Sequence, residues 1–450
     1  MKRRQKAFIV TIVFQSLGIF FCTQAFAQEG VQTYSGDLWS RSTLTGDWGG
    51  ARNDLAKKGV TLDLNLTQIG QGNVSGGKSI GWEYGGRGNL TLNLDTQKMG
   101  LWPGGFLTVE AEGTFGNSIN AKTGSLMAVN SNQIYPMPNS DQFNIPNVTF
   151  TQFFSHYVGV TTGKMDTTSG DANEFAHGKG DTQFFNLAFN INPVALVTVP
   201  YSTLGAGLIV LPTSDPNAAL ITVMAMSSDG RANSDGFNDL FKGNTTYAAS
   251  GRLRTDFFGM TGHQSVTATY STKNYTSISQ SLRLFVENRS IQEKDNSWSF
   301  FYNFDQYVYE PRKGSGQGIG MFGRFGASDG NPNPVHYFFS IGLGGKGVIP
   351  RRPLDEFGLG YYYMDVKNPN FTGPRETREF LRDEQGFEAY YSFAITPWMK
   401  LSPDIQVIRP SQKEVIKLRT GDILGRPVPT VVREDIDTAV VPGLRLQVIF

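Results

Sequence analysis

Two short stretches of the chain place charged side chains where they could meet small polar molecules. In Arg87-Gly88-Asn89-Leu90-Thr91-Leu92-Asn93-Leu94-Asp95, Arg87 shares its parity with Asn89, Thr91, Asn93 and Asp95. In residues 107–114, Glu110 shares its parity with Thr108, Glu112 and Thr114. If both stretches are strands, Arg87, Glu110 and Glu112 lie on polar faces. A guanidinium offers five donors and a carboxylate only acceptors. Facing rows of the two can hydrogen-bond successive hydroxyls of a neutral molecule. Their opposite charges also avoid the ion preference that a ring of one sign creates. Lys164 and Asp166 repeat the combination more weakly. The competing reading is that these groups solvate a wall and pair with one another.

Other chemistry finds little support. A hydrolase needs a nucleophile beside an activating base. The histidines are His156, His177, His263 and His336, and Ser155 and His156, as neighbours on a strand, would point to opposite faces. No catalytic residue is assigned. The single cysteine, Cys22, excludes a disulfide framework and a thiolate zinc site. No metal site, phosphate-cradling loop or cofactor is expected. A net charge of +1 gives no basic face for nucleic acid.

These groups need elements to hold them, and the chain first has to be trimmed. Lys2, Arg3, Arg4 and Lys6 precede an apolar run over 7–21, and Ala25-Phe26-Ala27 supplies a small-x-small site. Residues 1–27 therefore read as a signal peptide cleaved after Ala27. Phe21 before Cys22 speaks against a lipoprotein. Cleavage removes four basic groups and no acid, which takes the net charge from +1 to −3. Beyond residue 27 no run approaches the roughly 18 apolar residues of a membrane-spanning helix.

Alternation takes over instead. Val60-Thr61-Leu62-Asp63-Leu64-Asn65-Leu66-Thr67 is apolar at every even position, as is 89–95, and 107–112 alternates likewise with its apolar residues at the odd positions. Further strands are expected near 148–154, 156–165, 184–190, 205–212, 219–226, 246–258, 264–272, 297–305, 317–325, 336–344, 356–364, 386–395, 398–408 and 441–450. That makes 17 candidates, one away from the even number of a bacterial barrel. Aromatic clusters at Trp298–Tyr302, 337–339, 361–363 and 390–393 suit interfacial girdles, and Trp82, Trp298 and Trp398 read as anchors in them. The chain ends Leu444-Arg445-Leu446-Gln447-Val448-Ile449-Phe450, an alternating strand closed by phenylalanine. The expected fold is all-β: a transmembrane antiparallel β-barrel of about 16 strands with a short N-terminal helical lead-in. Barrels of this size enclose an aqueous channel.

The domain plan is a signal peptide over 1–27, a periplasmic segment over 28–58 and an outer-membrane barrel over 59–450. Ala51-Arg52-Asn53-Asp54-Leu55-Ala56-Lys57-Lys58 followed by Gly59 reads as a helix with a glycine stop. This segment either leads into the barrel or partly plugs it, and plugging would bring Trp48 into the pore. The asparagine- and proline-rich stretch 116–147 is the preferred infolded loop. Residues 166–183 form another loop, and 409–435 a charged extracellular insertion.

Leu44-Thr45-Gly46-Asp47-Trp48-Gly49-Gly50-Ala51-Arg52, with Leu55 and Gly59, resembles the amino-terminal signature of the carbohydrate-selective outer-membrane porins, the OprB-like sugar porins. The likeness continues at Gly163-Lys164-Met165-Asp166, Asn173, Phe175-Ala176 and Phe184-Phe185-Asn186. It returns at Ile349-Pro350-Arg351-Arg352-Pro353-Leu354-Asp355 through Gly360-Tyr361, and at 396–408 with Pro410. The 419–434 segment is longer than that pattern carries. The resemblance implies a 16-stranded barrel through which glucose and similar sugars diffuse without an energy source. It also implies an arginine and glutamate constriction, for which Arg87, Glu110, Glu112, Lys164, Asp166 and Trp48 are the candidates. The expected partners are mono- and oligosaccharides, outer-membrane lipid and lipopolysaccharide, and the barrel assembly machinery through Phe450, with a homo-trimer as one assembly open to it. The alternatives are an outer-membrane barrel enzyme of acyl hydrolase or protease type, and a secreted soluble sugar-binding β-protein. Deletion of Phe450 is expected to reduce the heat-modifiable barrel recovered from outer membranes. Undiminished recovery would remove the terminal-strand reading.

Overall fold

The computed structural model describes residues 34–134, 143–240, 243–281, 291–369, 371–372, 379–423 and 426–450. The expected signal peptide lies outside them. The chain enters through helix α1 (Ala51–Lys57), stopped by Gly59 at φ 84°, a left-handed conformation that glycine adopts without strain. It then forms β1 (Val60–Asn73), β2 (Gly81–Asp95), β3 (Gly105–Gly116), β4 (Phe143–Phe153) and β5 (Val158–Asp166). Next come β6 (Ser202–Val210), β7 (Ala219–Ser227), β8 (Thr245–Thr255), β9 (Gly262–Thr276) and the two-residue β10 (Gln280–Ser281). These are followed by β11 (Glu293–Tyr309), β12 (Gly318–Ser328), β13 (Val335–Lys346), β14 (Glu356–Val366) and the two-residue β15 (Phe371–Thr372). The chain ends with β16 (Glu384–Thr396), β17 (Met399–Arg409), β18 (Glu414–Ile423), β19 (Arg426–Asp435) and β20 (Ala439–Ile449).

Sixteen of these strands close into one antiparallel barrel, with β20 pairing back onto β1 from Asn65↔Ile449 to Gln71↔Gly443. β10 pairs with β15, and β18 with β19, outside the barrel wall. The latter hairpin occupies the charged 409–435 insertion. Of the 17 strands expected from the sequence, 184–190 is the one the structure corrects. It is loop with a 3-10 turn at Leu187–Phe189, and its rings are buried inside the barrel.

The lead-in to β1 and the end of β20 lie at the same rim as the shorter turns 96–104, 154–157 and 397–398, while the longer connections after β3, β5 and β17 leave from the other. Outer-membrane barrels carry short periplasmic turns and long outer loops. The wall alternates accordingly. Leu64, Leu90, Val160, Leu208, Val223, Leu253, Leu359 and Ile405 are exposed on the outside. Trp82, Tyr247, Tyr270, Trp298 and Tyr337 are exposed near the long-loop rim, and Trp102, Phe154, Tyr157, Phe257 and Tyr309 near the short-turn rim. Not every aromatic of the expected girdle faces out. Phe301 and Phe338, the immediate neighbours of exposed Phe300 and Tyr337, are buried in the lumen, as are Tyr362 and Tyr390. Trp398 is also buried, its Nε1 donating to Leu38 O at 2.8 Å beneath the lead-in.

The lead-in packs on the seam where β20 meets β1. Arg52 Nη1 donates to Phe450 O and Thr43 Oγ1, both at 2.9 Å, and its Nη2 donates to Leu62 O at 2.8 Å. One guanidinium thus ties the last residue of the chain to the first strand. The Phe450 N–H donates to Leu64 O at 2.8 Å, and Leu44 N–H to Ile449 O at 2.7 Å. Trp48, considered for the pore, stays on this lead-in. It is 43% exposed, donates to Thr45 Oγ1 and lies 5.1 Å from the Arg52 guanidinium. Ser35 hydrogen-bonds the nearby Asp47 carboxylate and, with the Gly49 and Gly50 N–H groups, holds it below its ordinary pKa against a smaller opposing effect of desolvation.

Inside the barrel, the connection 167–201 folds down from the long-loop rim. Phe175, Phe184 and Phe189 pack against β12, β13 and β14 where those strands turn glycines inward. A Cβ at Gly344 would lie 2.6 Å from Phe175 Cβ, one at Gly358 2.7 Å from Phe184 Cζ, and one at Gly360 2.6 Å from Phe189 Cε1. Each glycine is therefore a socket for a ring. Fully burying a phenylalanine stabilises by roughly 1.5–3 kcal/mol, and edge-on contacts such as Phe184–Tyr390 at 4.9 Å add to it. Gly344→Val should leave a heat-modifiable barrel but unseat Phe175. The checks are faster proteolysis within 167–201 and a larger single-channel conductance than that of the parent chain.

Candidate functional site

The parity argument places Arg87 on β2 and Glu110 and Glu112 on β3 with their side chains inward, and the β2–β3 register sets Arg87 opposite Thr114 and Asn89 opposite Glu112. All three charged residues are at most 5% exposed. Arg87 Nη1 lies 3.5 Å from Glu112 Oε2, and Arg87 Nη2 lies 2.6 Å from Asp181 Oδ2. Asp181 belongs to the infolded loop, and its other oxygen accepts from Asn132 Nδ2 at 2.5 Å. Arg87 is therefore held between a wall carboxylate and a loop carboxylate.

Around this core the loop supplies groups that sequence reasoning missed. Lys179 pairs with Asp166, and Tyr201 donates to Glu112. Asp166 also caps the turn that follows β5, its Oδ1 accepting from Thr168 N–H at 2.9 Å. Its neighbour Lys164 turns elsewhere, donating to Ala232 O at 2.8 Å and to Ser234 O, which ties the connection after β7 to the wall. Arg87, Glu110, Glu112 and Asp166 are thus gathered by one loop segment, Lys164 serves a neighbouring one, and Trp48 is not brought to them.

Burying a charge without partners costs several kcal/mol, so the pairing explains how this cluster can exist away from bulk water. Some polar atoms are left over. Glu110 Oε2, Asn144 Nδ2, Asn147 Nδ2 and Arg87 Nε are buried without a hydrogen-bond partner in the protein. Glu110 pairs across strands with Asn147, and Glu112 with Asn144. Acceptors and donors therefore alternate on adjoining strands, the pattern that hydroxyl groups can bridge.

The loop itself is fixed by residues the sequence did not flag. Glu388 accepts from Phe185 N–H at 2.5 Å and Asn186 N–H at 2.9 Å. Glu384 accepts from Leu126 N–H at 2.6 Å and Met127 N–H at 3.1 Å, which holds the middle of the 117–134 segment. That segment, the preferred infolded loop, does enter the barrel mouth, but 167–201 is the larger insertion; residues 135–142 lie outside the described residues. Arg324 donates to Asp171 Oδ2, Phe189 O and Ala176 O. The available signal was the asparagine spacing. Asn173, Asn186 and Asn192 each accept from a backbone N–H two residues on, and Asn190 donates to the carbonyls of Phe184 and Asn186. A buried loop must satisfy its backbone groups, and asparagine does so locally.

Histidines form two pairs, His263 with Asp305 at 2.7 Å across β9 and β11, and His336 with Asp365 at 3.1 Å across β13 and β14. Neither pair adjoins the arginine–carboxylate cluster.

A family profile decides what kind of barrel this is. The profile of the carbohydrate-selective porin, OprB family, matches residues 81–450. The chain belongs to the OprB family of carbohydrate-selective porins. It is 24% identical to the candidate porin QuiX of Acinetobacter baylyi over 421 residues, covering 84% of this chain and 90% of that protein. The high-pH structure of Pseudomonas putida OprB superposes with a TM-score of 0.73 at 18% identity, over 92% of this chain and all of the other. The low-pH structure of the same protein gives 0.54 at 16% identity, over 92% and 99%. This is a family of outer-membrane sugar channels and not an enzyme family. The OprB-type barrel here carries its charged cluster at the meeting of wall and loop. A double-mutant cycle of Arg87→Met and Asp181→Asn, followed by unfolding in detergent, should return a coupling within about 0.5–3 kcal/mol. Additive effects would show that the 2.6 Å pair contributes nothing.

Proposed function

We propose that this chain is a passive outer-membrane channel for glucose and related mono- and oligosaccharides, with Arg87, Glu110, Glu112 and Asp166 from the wall and Lys179 and Asp181 from the loop forming its constriction. The supporting observation is the buried Arg87 between Glu112 and Asp181, inside a closed barrel, beside unpartnered donors and acceptors on β3 and β4. A sugar ring presents hydroxyls that both donate and accept, so it can exchange partners along such a row. Hydrogen bonds to charged groups contribute about 1.5–3 kcal/mol, and a conduit must hold its cargo weakly enough to release it.

Lys164 is assigned to anchoring the connection after β7, and Trp48 to the rim. Residues 1–27 act as the cleaved export signal and 28–58 as a periplasmic lead-in. The outward aromatic belts contact lipid and lipopolysaccharide, Phe450 serves the assembly machinery, and a homo-trimer is the assembly to test first.

Liposomes carrying the protein should swell with glucose at rates linear in its gradient, without hydrolysis of the sugar. In planar bilayers Arg87→Ala should weaken sugar block of ion current and shift reversal potential toward cations. Glu110→Ala should weaken block and shift it toward anions, because the two changes remove wall charges of opposite sign. Unchanged block and reversal potential in both variants would move the constriction elsewhere.

A further inference from the structure

Among the largest fully buried side chains are three arginines of the lumen wall: Arg87, Arg324 and Arg445. Each grips the 167–201 loop, but Arg445 does so in a distinct way. It projects from β20, paired through the backbone with Ile69 of β1 and Ser402 of β17. Its Nη1 donates to Gly180 O and Gln183 O, both at 2.9 Å. Its Nη2 donates to Thr182 O and to Ser402 Oγ, the latter at 3.3 Å. The guanidinium carbon lies 4.3 Å from the centre of the Phe185 ring.

A guanidinium has four Nη hydrogens, and here all four are committed to the loop and its neighbouring strand. The ring of Phe185 covers one face. Little of this side chain is left to touch a molecule in transit. What it does is turn the carbonyls of Gly180, Thr182 and Gln183 toward the β17–β20 wall. The Asp181 side chain, in the middle of that turn, reaches Arg87 and Asn132. Lys179, just before the turn and held at φ 52°, reaches Asp166. We infer that Arg445 is a positioning residue for selectivity, setting where Lys179 and Asp181 stand in the constriction by clasping the turn between them and Phe185.

The distinguishing prediction concerns lysine. Lysine keeps the charge but is a single flexible point donor, without the rigid fork that can serve three carbonyls at once. If Arg445 acts by its charge on the pore, Arg445→Lys behaves as the parent chain. If it acts by the clasp, Arg445→Lys behaves as Arg445→Met. The full chain, purified and reconstituted in planar bilayers, is read for glucose block and for reversal potential in a salt gradient. The expected result is a heat-modifiable barrel in which Arg445→Lys weakens glucose block by about tenfold, as loss of one or two hydrogen bonds would give, and shifts reversal potential. Both effects should largely vanish when Arg445→Lys is placed in a Lys179→Met/Asp181→Asn background. Arg445→Lys indistinguishable from the parent would overturn the inference, as would an undiminished shift in that background. Failure of Arg445→Lys to form a barrel would also overturn it, since assembly rather than the turn would then depend on the residue. The block measurement rests on the sugar-channel reading, whereas the reversal potential does not. If the parent shows no block by glucose, that reading fails, and the reversal potentials still decide the clasp.

Discussion

In a hydrocarbon environment every backbone N–H and C=O must find its partner within the protein, so a sheet can cross a membrane only if it has no edge. In this chain the condition is met at one seam, where β20 returns to β1 in antiparallel register. The alternation of side chains, the hollow interior and the two rims all follow from that closure. The seam is reinforced from outside the sheet. Arg52 of α1 bonds the carbonyl of Phe450 and the carbonyl of Leu62 together, and Trp398 holds the lead-in from the neighbouring turn. The lead-in is thus a clasp on the place where closure could fail first.

Closure makes an interior, and the interior is divided. Along β12, β13, β14 and β16 glycines and aromatics make up much of the inward face, broken by Arg324, Glu356, Glu384 and Glu388, and Phe175, Phe184 and Phe189 of the loop fill the glycine sockets. Along β1 to β5 and on β20 most inward residues are polar or charged, among them Thr67, Gln71, Arg87, Glu110, Glu112 and Gln447, with Ile69, Ala439 and Val441 as apolar exceptions. The loop therefore has a mainly apolar back, pinned by Arg324 and Glu388, and a polar front. Ring packing on the apolar side and the hydrogen bonds of the charged wall residues together keep it inside the barrel, and the polar front carries Lys179 and Asp181 toward the opposing carboxylates and Arg87.

Arginine recurs in this arrangement for a physical reason. A buried charge needs several partners in fixed directions, and the planar fork of arginine supplies donors that satisfy carboxylates and carbonyls together. Arg87 bonds mainly through carboxylates, Arg324 through one carboxylate and several carbonyls, and Arg445 through carbonyls and a hydroxyl. Glu384 and Glu388 do the converse, collecting backbone N–H groups of two loops on the β16 wall. These contacts commit the loops to one path across the lumen. They also explain why the charged cluster is built from residues far apart in the chain.

The amino-acid sequence by itself determined the wall. Two-residue periodicity is a local property, so residues 60–67, 89–95 and 107–112 announced strands, and their parity already set Arg87, Glu110 and Glu112 on the polar side. The glycine stop after Lys58 likewise marked α1 without reference to anything distant. Tertiary structure decided the rest. The run Phe184-Phe185-Asn186-Leu187-Ala188-Phe189-Asn190 reads as a strand because a short apolar segment has no period that separates a buried loop from a buried strand. Only the glycines of β12 to β14, more than a hundred residues later, show what its rings pack against. Tyr362 and Tyr390 could not be told from girdle residues for the same reason: both lipid and the back of the loop are apolar. Lys179, Asp181 and Arg445 gained their roles only when the loop crossed the lumen, because an ion pair or a carbonyl clasp depends on distance in space, which the order of residues along the chain does not contain.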